Sequence, residues 1–378
     1  MSDAPRPPAV PVFIGSEIYR HSSYGAWHPL RVPRTSTVID MVRALGWLAP
    51  GQYRVSPRAK AEGLTLWHTP DYVAALMQAE AAQAVTPLMR ERHHLGTAMN
   101  PVYPEMFRRP ATGAGAAMLA AALLAGGGAV HAPGMGTHHG LPDRANGFCF
   151  LNDLVLGILS LRRHGLGRIA YIDIDAHHGD GVEHAFAADP DVMVLSVHEA
   201  GRWPRTGALS DRGVGNVFNL PVPPGLNDDE FAAIRDGLIL PVLARFRPEA
   251  VVLQCGADAL AEDPLSRLSL SNNAHVALLR ALRGMAPRLV VTGGGGYNPW
   301  TVGRLWTRNW AALNDLEEPD RLPDPAVAVL SGLRFWRAGQ ERRAEPHLLT
   351  TLVDPPRGGP VRAEIRAAIA ELVAPVWV

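Results

Sequence analysis

Short β-branched and aliphatic runs alternate with helix-like stretches through the middle of the chain. Arg168 to Ile174 (RIAYIDI), Val192 to Val197 (VMVLSV), Ala250 to Leu253 (AVVL) and Leu289 to Thr292 (LVVT) read as strands. Apolar runs of this length, without polar alternation, suit strands buried on both faces. Between them, Asp228 to Phe246 and Ser271 to Met285 carry helical patterns. Alternation of this kind predicts a parallel sheet covered by helices, a three-layer α/β/α single domain. Ala111 to Val130 has no charge and is long enough to span a bilayer. It is mostly Ala and Gly, so a buried helix ending at Gly126-Gly127-Gly128 is expected instead. The alternation stops near Glu317. Residues 317–378 then read as a peripheral segment on a core of about 12–316, with a helix from Arg362 to Leu372.

Composition narrows the class. The chain has 378 residues, 47% of them hydrophobic, which excludes a small scaffold stapled by disulfides or metal. Lys+Arg and Asp+Glu are both 36, so no net charge draws the chain to nucleic acid or an anionic membrane. Two cysteines, Cys149 and Cys255, exclude a Cys-rich zinc site, so any metal must be held by the fifteen histidines and by carboxylates. Met1 to Val10 is proline-rich and lacks a basic flank followed by an apolar core. This predicts no signal peptide and a cytoplasmic protein with reduced thiols.

Ligands in open α/β sheets bind beyond the carboxyl ends of the strands. The segments there are Asp173-Ile-Asp175-Ala-His177-His178-Gly-Asp180, Ser196-Val-His198-Glu199, Gln254-Cys-Gly-Ala-Asp258 and Gly293-Gly-Gly-Gly-Tyr297. The period-2 spacing of Asp173, Asp175 and His177 puts alternate side chains on one face. Asp175 and His177, joined by Asp258 from another strand, make a three-ligand metal site with room for water. A carboxylate–histidine network without metal is the alternative. The tandem His138-His139 lies in a glycine-flanked loop, and Asp173 and Asp180 are free to orient those rings. A base beside activated water is what metal-assisted hydrolysis needs. Tyr297 could donate to a polarised carbonyl oxygen, or be a buried aromatic after a turn. The second tandem, His93-His94, sits among Arg90, Glu91 and Arg92 and reads as solvated surface.

THHG (137–140), NGFCFLND (146–153), YIDIDAHHGDGVEHAF (171–186), QCGAD (254–258) and GGGGYN (293–298) occur in this order. Together they resemble the histone deacetylase family in its class I-like form, especially the bacterial acetoin-utilisation-type deacetylases. The similarity runs from roughly Tyr19 to Trp310. The resemblance implies the arginase–deacetylase fold, with a central, mostly parallel sheet of roughly eight strands. It implies zinc held by Asp175, His177 and Asp258, with Fe²⁺ or Co²⁺ as substitutes on this hard donor set. It implies His139 as general base and then acid, and His138 as mainly electrostatic, backed by Asp180 and Asp173 respectively. Tyr297 would polarise the acyl carbonyl. Gly147, Phe148 and Trp203 would line a narrow acyl-lysine tunnel, with Leu265 near its floor and Gly295 also touching substrate. Arg34 matches an arginine near an internal acetate cavity. A structural potassium would sit at Asp173, Asp175, His177, Ser196 and Val197.

Two departures bear on the substrate. Where family members often carry a rim Asp, this chain has Met99, followed by Asn100; the loop Ala200 to Trp203 is also short. The activity implied is removal of acetyl from N-acetyl-lysine in proteins or peptides. Deacetylation of small acetylated amines such as acetylpolyamines is the alternative, and a non-catalytic metal-holding protein a further one. An arginase-like two-metal hydrolase would need Asp where Gly179 and Gly256 stand.

Overall fold

The computed structural model describes residues 10–337 and 340–374. The proline-rich stretch through residue 9, read above for a leader, lies outside them. Eight strands form one sheet: β1 (Val12–Gly15), β2 (Tyr53–Val55), β3 (Gly128–Ala132), β4 (Ile169–Asp173), β5 (Val192–Glu199), β6 (Val217–Val222), β7 (Ala250–Gln254) and β8 (Arg288–Thr292). Their order is β2-β1-β3-β8-β7-β4-β5-β6, and every pairing is parallel. The sheet is therefore wholly parallel, where the sequence suggested mostly parallel. The four strands read from the sequence occupy the centre and are buried along nearly their whole length. Those not foreseen are β1, β2, β3 and β6, which include both edges.

The uncharged stretch divides as its glycines dictate. A buried helix runs over Arg108–Leu123, Gly127 and Gly128 take positive φ (98° and 113°), and β3 begins at Gly128. Residues 128–130 are thus strand, not helix end. No helix among the described residues is long and apolar enough to cross a membrane. The segment 228–246 is helical throughout but carries a wide π turn over Arg235–Ile239. Pro241 lies just beyond it and has no N–H for a helical bond, which accounts for the local unwinding. Ser271 caps the helix Asn272–Leu282 by accepting from Asn273 N. Asn298 caps Pro299–Leu313 by accepting from Trp300 N, with Pro299 at the first helical position. That last helix is buried along its whole length and holds Trp306 and Trp310 against the sheet.

The described residues beyond 316 include segments that pack back on the core. Arg304, fully buried, pairs with Asp354 at 2.5 Å. Arg362 binds the buried Glu230 through both carboxylate oxygens at 2.5 and 2.7 Å, at the start of the helix Ala363–Val373.

The helix Arg108–Leu123 approaches the 57–59 segment closely. Ala59 N donates to Ala111 O at 2.8 Å, and a Cβ on Gly115 would overlap the carbonyl of Pro57. Gly126, three residues past the helix's last residue, meets nothing within 4 Å. Gly115→Ala should therefore destabilise by about 1–3 kcal/mol, against the ordinary helical gain of Ala over Gly. Gly126→Ala should stay within about 0.5 kcal/mol of the parent. Denaturant midpoints of the two variants check this, and equal midpoints would refute the close packing.

Candidate active site

Parallel strands place all their carboxyl ends on one edge. Asp173 ends β4, in register with Ser196 of β5 and Gln254 of β7, and Gln254 is in register with Thr292 of β8. The chain leaving β4 carries Asp175 and His177, and the chain leaving β7 carries Asp258. Ligand atoms from these three lie within 4.8 Å of one another. The Asp175 carboxylate accepts from three donors: His177 N on Oδ1 at 3.0 Å, and Gln254 Nε2 and Gly295 N on Oδ2 at 2.8 and 2.7 Å; its own N–H donates to Asp173 Oδ1 at 3.1 Å, fixing the turn. Asp258 Oδ1 accepts from Ala176 N at 3.0 Å. The His177 ring Nδ1 lies 3.1 Å from Asp175 and 3.0 Å from Asp258.

These carboxylates are buried, and their charges shape the protonation of the site. Burial, then Asp175, pushes Asp258 up to about 6. Asp175 lies well below the usual carboxylate range because His138 and His177 outweigh its burial. Burial opposes charge on His177, but Asp175 and Asp258 raise it to about 10. His177 Nδ1 lies between the two carboxylates, where a divalent cation would balance their charge. One imidazole and two carboxylates are a donor set that fits zinc.

The loop 134–140 brings His138 and His139 over this cluster. His138 Nδ1 donates to Asp173 Oδ2 at 2.8 Å, and His139 Nδ1 donates to Asp180 Oδ1 at 2.7 Å. Their rings are 3.9 Å apart between centroids. Burial lowers the charge on both, yet they part. Asp173 and Asp175 raise His138 to about 9, whereas burial and His138 depress His139 to about 4. The carboxylates thus favour charge on His138, while burial and His138 disfavour it on His139.

Gly147 and Phe148 form a tight hairpin between Asn146 and Cys149, both at positive φ (52° and 69°). Asn100 Oδ1 accepts from Phe148 N at 3.1 Å, Tyr24 donates to Phe148 O at 3.0 Å, and Asn146 donates to Asp180 at 2.9 Å. Trp203 packs edge-on to His139, with centroids 4.6 Å apart. Tyr297 is buried, its N–H donating to Asp263 at 2.7 Å, and its ring is 6.1 Å from that of Phe148. Burial and Asp258 push its hydroxyl well above the usual phenol range, so it stays a donor.

Two cavities meet here. An outer cleft of about 510 Å³ is lined by Met99, Phe148, Trp203, Leu265, His139 and Tyr297, among others. An inner cavity of about 60 Å³ shares His139, His177 and Tyr297 and continues to Tyr19, Arg34 and Arg109. Arg34 donates to Gly294 O at 2.5 Å and lies 5.5 Å over the Trp306 ring, while its buried Nε has no partner among the described residues.

Two sequence expectations need correction. Leu265 lines the outer cleft and a neighbouring groove but not the inner cavity, because Asp263 anchors its N–H at the mouth; it is not at the floor. His93 is buried, its Nδ1 bonded to Asp143 O at 2.6 Å, so only His94 of that pair is solvated. Sequence reasoning gave no role to Gln254, Asp153 or Asp263. Asp153 Oδ1 accepts from Gly136 N and Thr137 N at 2.9 and 3.1 Å, and Asn152 Nδ2 donates to His138 O and Gly140 O, clamping the histidine loop. The Asn-Asp at a helix start was the available signal. Cys149 and Cys255 are buried free thiols, pushed up by burial, and neither is near enough to join the ligand group.

The histone deacetylase domain family matches residues 28–313. The chain is 35% identical over 327 residues to the acetoin utilization protein AcuC of Bacillus subtilis, covering 82% of this chain and 84% of that one. It is 34% identical over 310 residues to human histone deacetylase 1, covering 79% of this chain and 64% of the human one. The solved structure of an HDAC homolog from Aquifex aeolicus superposes with TM-score 0.91 at 36% identity, covering 96% of this chain and 100% of that one. A solved HDAC homolog complexed with SAHA gives the same figures.

A Cβ on Gly295 would overlap the Asp258 carboxylate. Gly295→Ala should weaken zinc affinity by about 10–100-fold, as loss of a ligand's support does. Asp258→Ala should abolish stoichiometric binding. Titration against a competing chelator checks both, and unchanged affinity in either would remove Asp258 from the ligand set.

Proposed function

The chain belongs to the histone deacetylase family, a family of hydrolases, and from that premise we propose that it removes acetyl groups from N-acetyl-lysine in proteins or peptides, releasing acetate. The observation that carries this reading is the convergence of His139, Tyr297 and the Asp175–His177–Asp258 group on one cavity system. Zinc is the proposed ion at that group, where it would polarise the acyl carbonyl and acidify water.

This chain's residues would divide the remaining work. Phe148 and Trp203 would flank the lysine methylenes; Gly147, without a side chain, lets Trp203 and His139 close together there, and Gly295 likewise makes way for the Asp258 carboxylate. His139 Nε2, free of a proton, would accept one from the attacking water and pass it to the departing amine. Asp180 would fix the tautomer by accepting the Nδ1–H hydrogen bond, with Nδ1 and Oδ1 2.7 Å apart. His138, protonated against Asp173, would favour negative charge on the acyl oxygen. Tyr297 would donate its hydroxyl to that oxygen as charge develops. Arg34, with an unpaired buried Nε on the inner cavity, suits a carboxylate product such as acetate. Potassium is proposed at Asp173, Asp175, His177, Ser196 and Val197; the pairing of β4 with β5 sets Asp173 beside Ser196.

Acetylpolyamines are the second reading. They are polycations, and an acidic approach would favour them. The outer cleft has one carboxylate, Glu199, and that is spent on Arg202 at 2.5 and 2.8 Å. This favours acetyl-lysine. A non-catalytic metal protein is disfavoured because Tyr297 and both tandem histidines are present and positioned.

With the zinc-loaded protein and a fluorogenic acetyl-lysine peptide, Tyr297→Phe and His139→Ala should each lower kcat by about 10²–10⁴-fold with zinc retained. Near-normal turnover in either would reject its role. SAHA should compete with the peptide.

A further inference from the structure

The chain is neutral overall, but the mouth of the site is not. Arg202, Arg205 and Arg267 line the outer cleft against the single carboxylate of Glu199, a formal excess of two positive charges. Glu199 ends β5 and is 4% exposed. Its oxygens take the Arg202 guanidinium and also Arg267 N at 2.8 Å. One buried carboxylate thus pins Arg202 and sets the backbone from which Arg267 projects.

Arg205 and Arg267 are exposed, and neither forms an ion pair among the described residues. Arg205 is held at φ +66° in a turn whose N–H donates to Arg202 O at 2.8 Å. The same turn carries Trp203 onto His139. The turn that places Trp203 on the cleft wall therefore also sets the Arg205 guanidinium on the same cleft. Met99, Leu265, Pro224 and Phe148 make the rest of the rim apolar. An unpaired arginine at a recognition surface suits carboxylate and phosphate, which it can bind through two parallel N–H bonds. A residue two positions along an extended peptide lies about 7 Å from the acyl-lysine, within reach of the cleft walls.

We propose that Arg205 and Arg267 are specificity determinants that select acyl-lysines flanked by acidic groups, carboxylate or phosphate, within a few residues. The inference rests on the deacetylase reading and names the substrate class of that same site.

The test compares kcat/KM of the zinc-loaded full chain on acetyl-lysine peptides of equal length flanked by Ala, Glu, phosphoserine or Lys. At low ionic strength the Glu and phosphoserine peptides should exceed the Lys peptide by about tenfold, shrinking toward equality near 0.5 M salt as the charges are screened. The phosphoserine arm against the Glu arm tells phosphate from carboxylate as the preferred group. Arg205→Glu combined with Arg267→Glu should reverse the order, and Arg205→Lys with Arg267→Lys should keep it. Equal rates for Glu and Lys peptides, preference for the Lys peptide, or a preference that survives charge reversal would overturn the inference alone. No turnover of any peptide, the Ala one included, would overturn the deacetylase reading and this inference with it.

Discussion

Burial of negative charge at one edge of the sheet is the constraint on which the site depends. Asp153, Asp173, Asp175, Asp258 and Asp263 are each 5% exposed or less. An isolated buried carboxylate is too costly to persist, so each must collect donors or a cation. The donors they collect are the parts of the site. Asp153 takes the backbone of the histidine loop, Asp173 takes His138 and the Tyr171 hydroxyl, and Asp263 takes the N–H groups of Leu265 and Tyr297. The loops have their shapes because the carboxylates require them. What donors alone leave unbalanced, between Asp175 and Asp258, is the place for positive charge.

The same constraint separates two histidines that are adjacent in sequence. His138 faces two carboxylates and is driven to hold a proton; His139 faces one carboxylate and a cationic neighbour and is driven to lose it. Neither property belongs to the dipeptide. It follows from Asp173 sitting on β4 and Asp180 starting the next helix, so the strand-to-helix connection after β4 sets both.

The central strands and the ligand residues were legible because both depend on local pattern: unbroken apolar runs, then period-2 Asp and His at the strand end. The edges were not. The β2 edge is three residues, two of them exposed, and the interior strand β3 follows directly on two glycines, so neither offers a run long enough to recognise. Leu265 was misplaced because its position is set by Asp263, a partner two residues away whose burial no spacing reveals. His93 was misjudged because charged neighbours in sequence point outward while its own ring turns in to Asp143 O. The arginines at the mouth were present in the sequence but acquire meaning only when Glu199 is seen to be occupied. In each case the missing knowledge was which polar group had already been satisfied.

A final consequence lies in two glycines. A side chain at Gly256 would collide with the Asp175 carboxylate, and one at Gly179 would press within 2.5 Å of Asp173. These are the positions at which a second cation would need its carboxylates. Adding either Asp alone would first dislodge a residue that the single-ion site requires. Backbone spacing at these two glycines thus leaves no room for carboxylate side chains beside Asp173 and Asp175, and with it no ready place for a second divalent cation next to the Asp175–His177–Asp258 group.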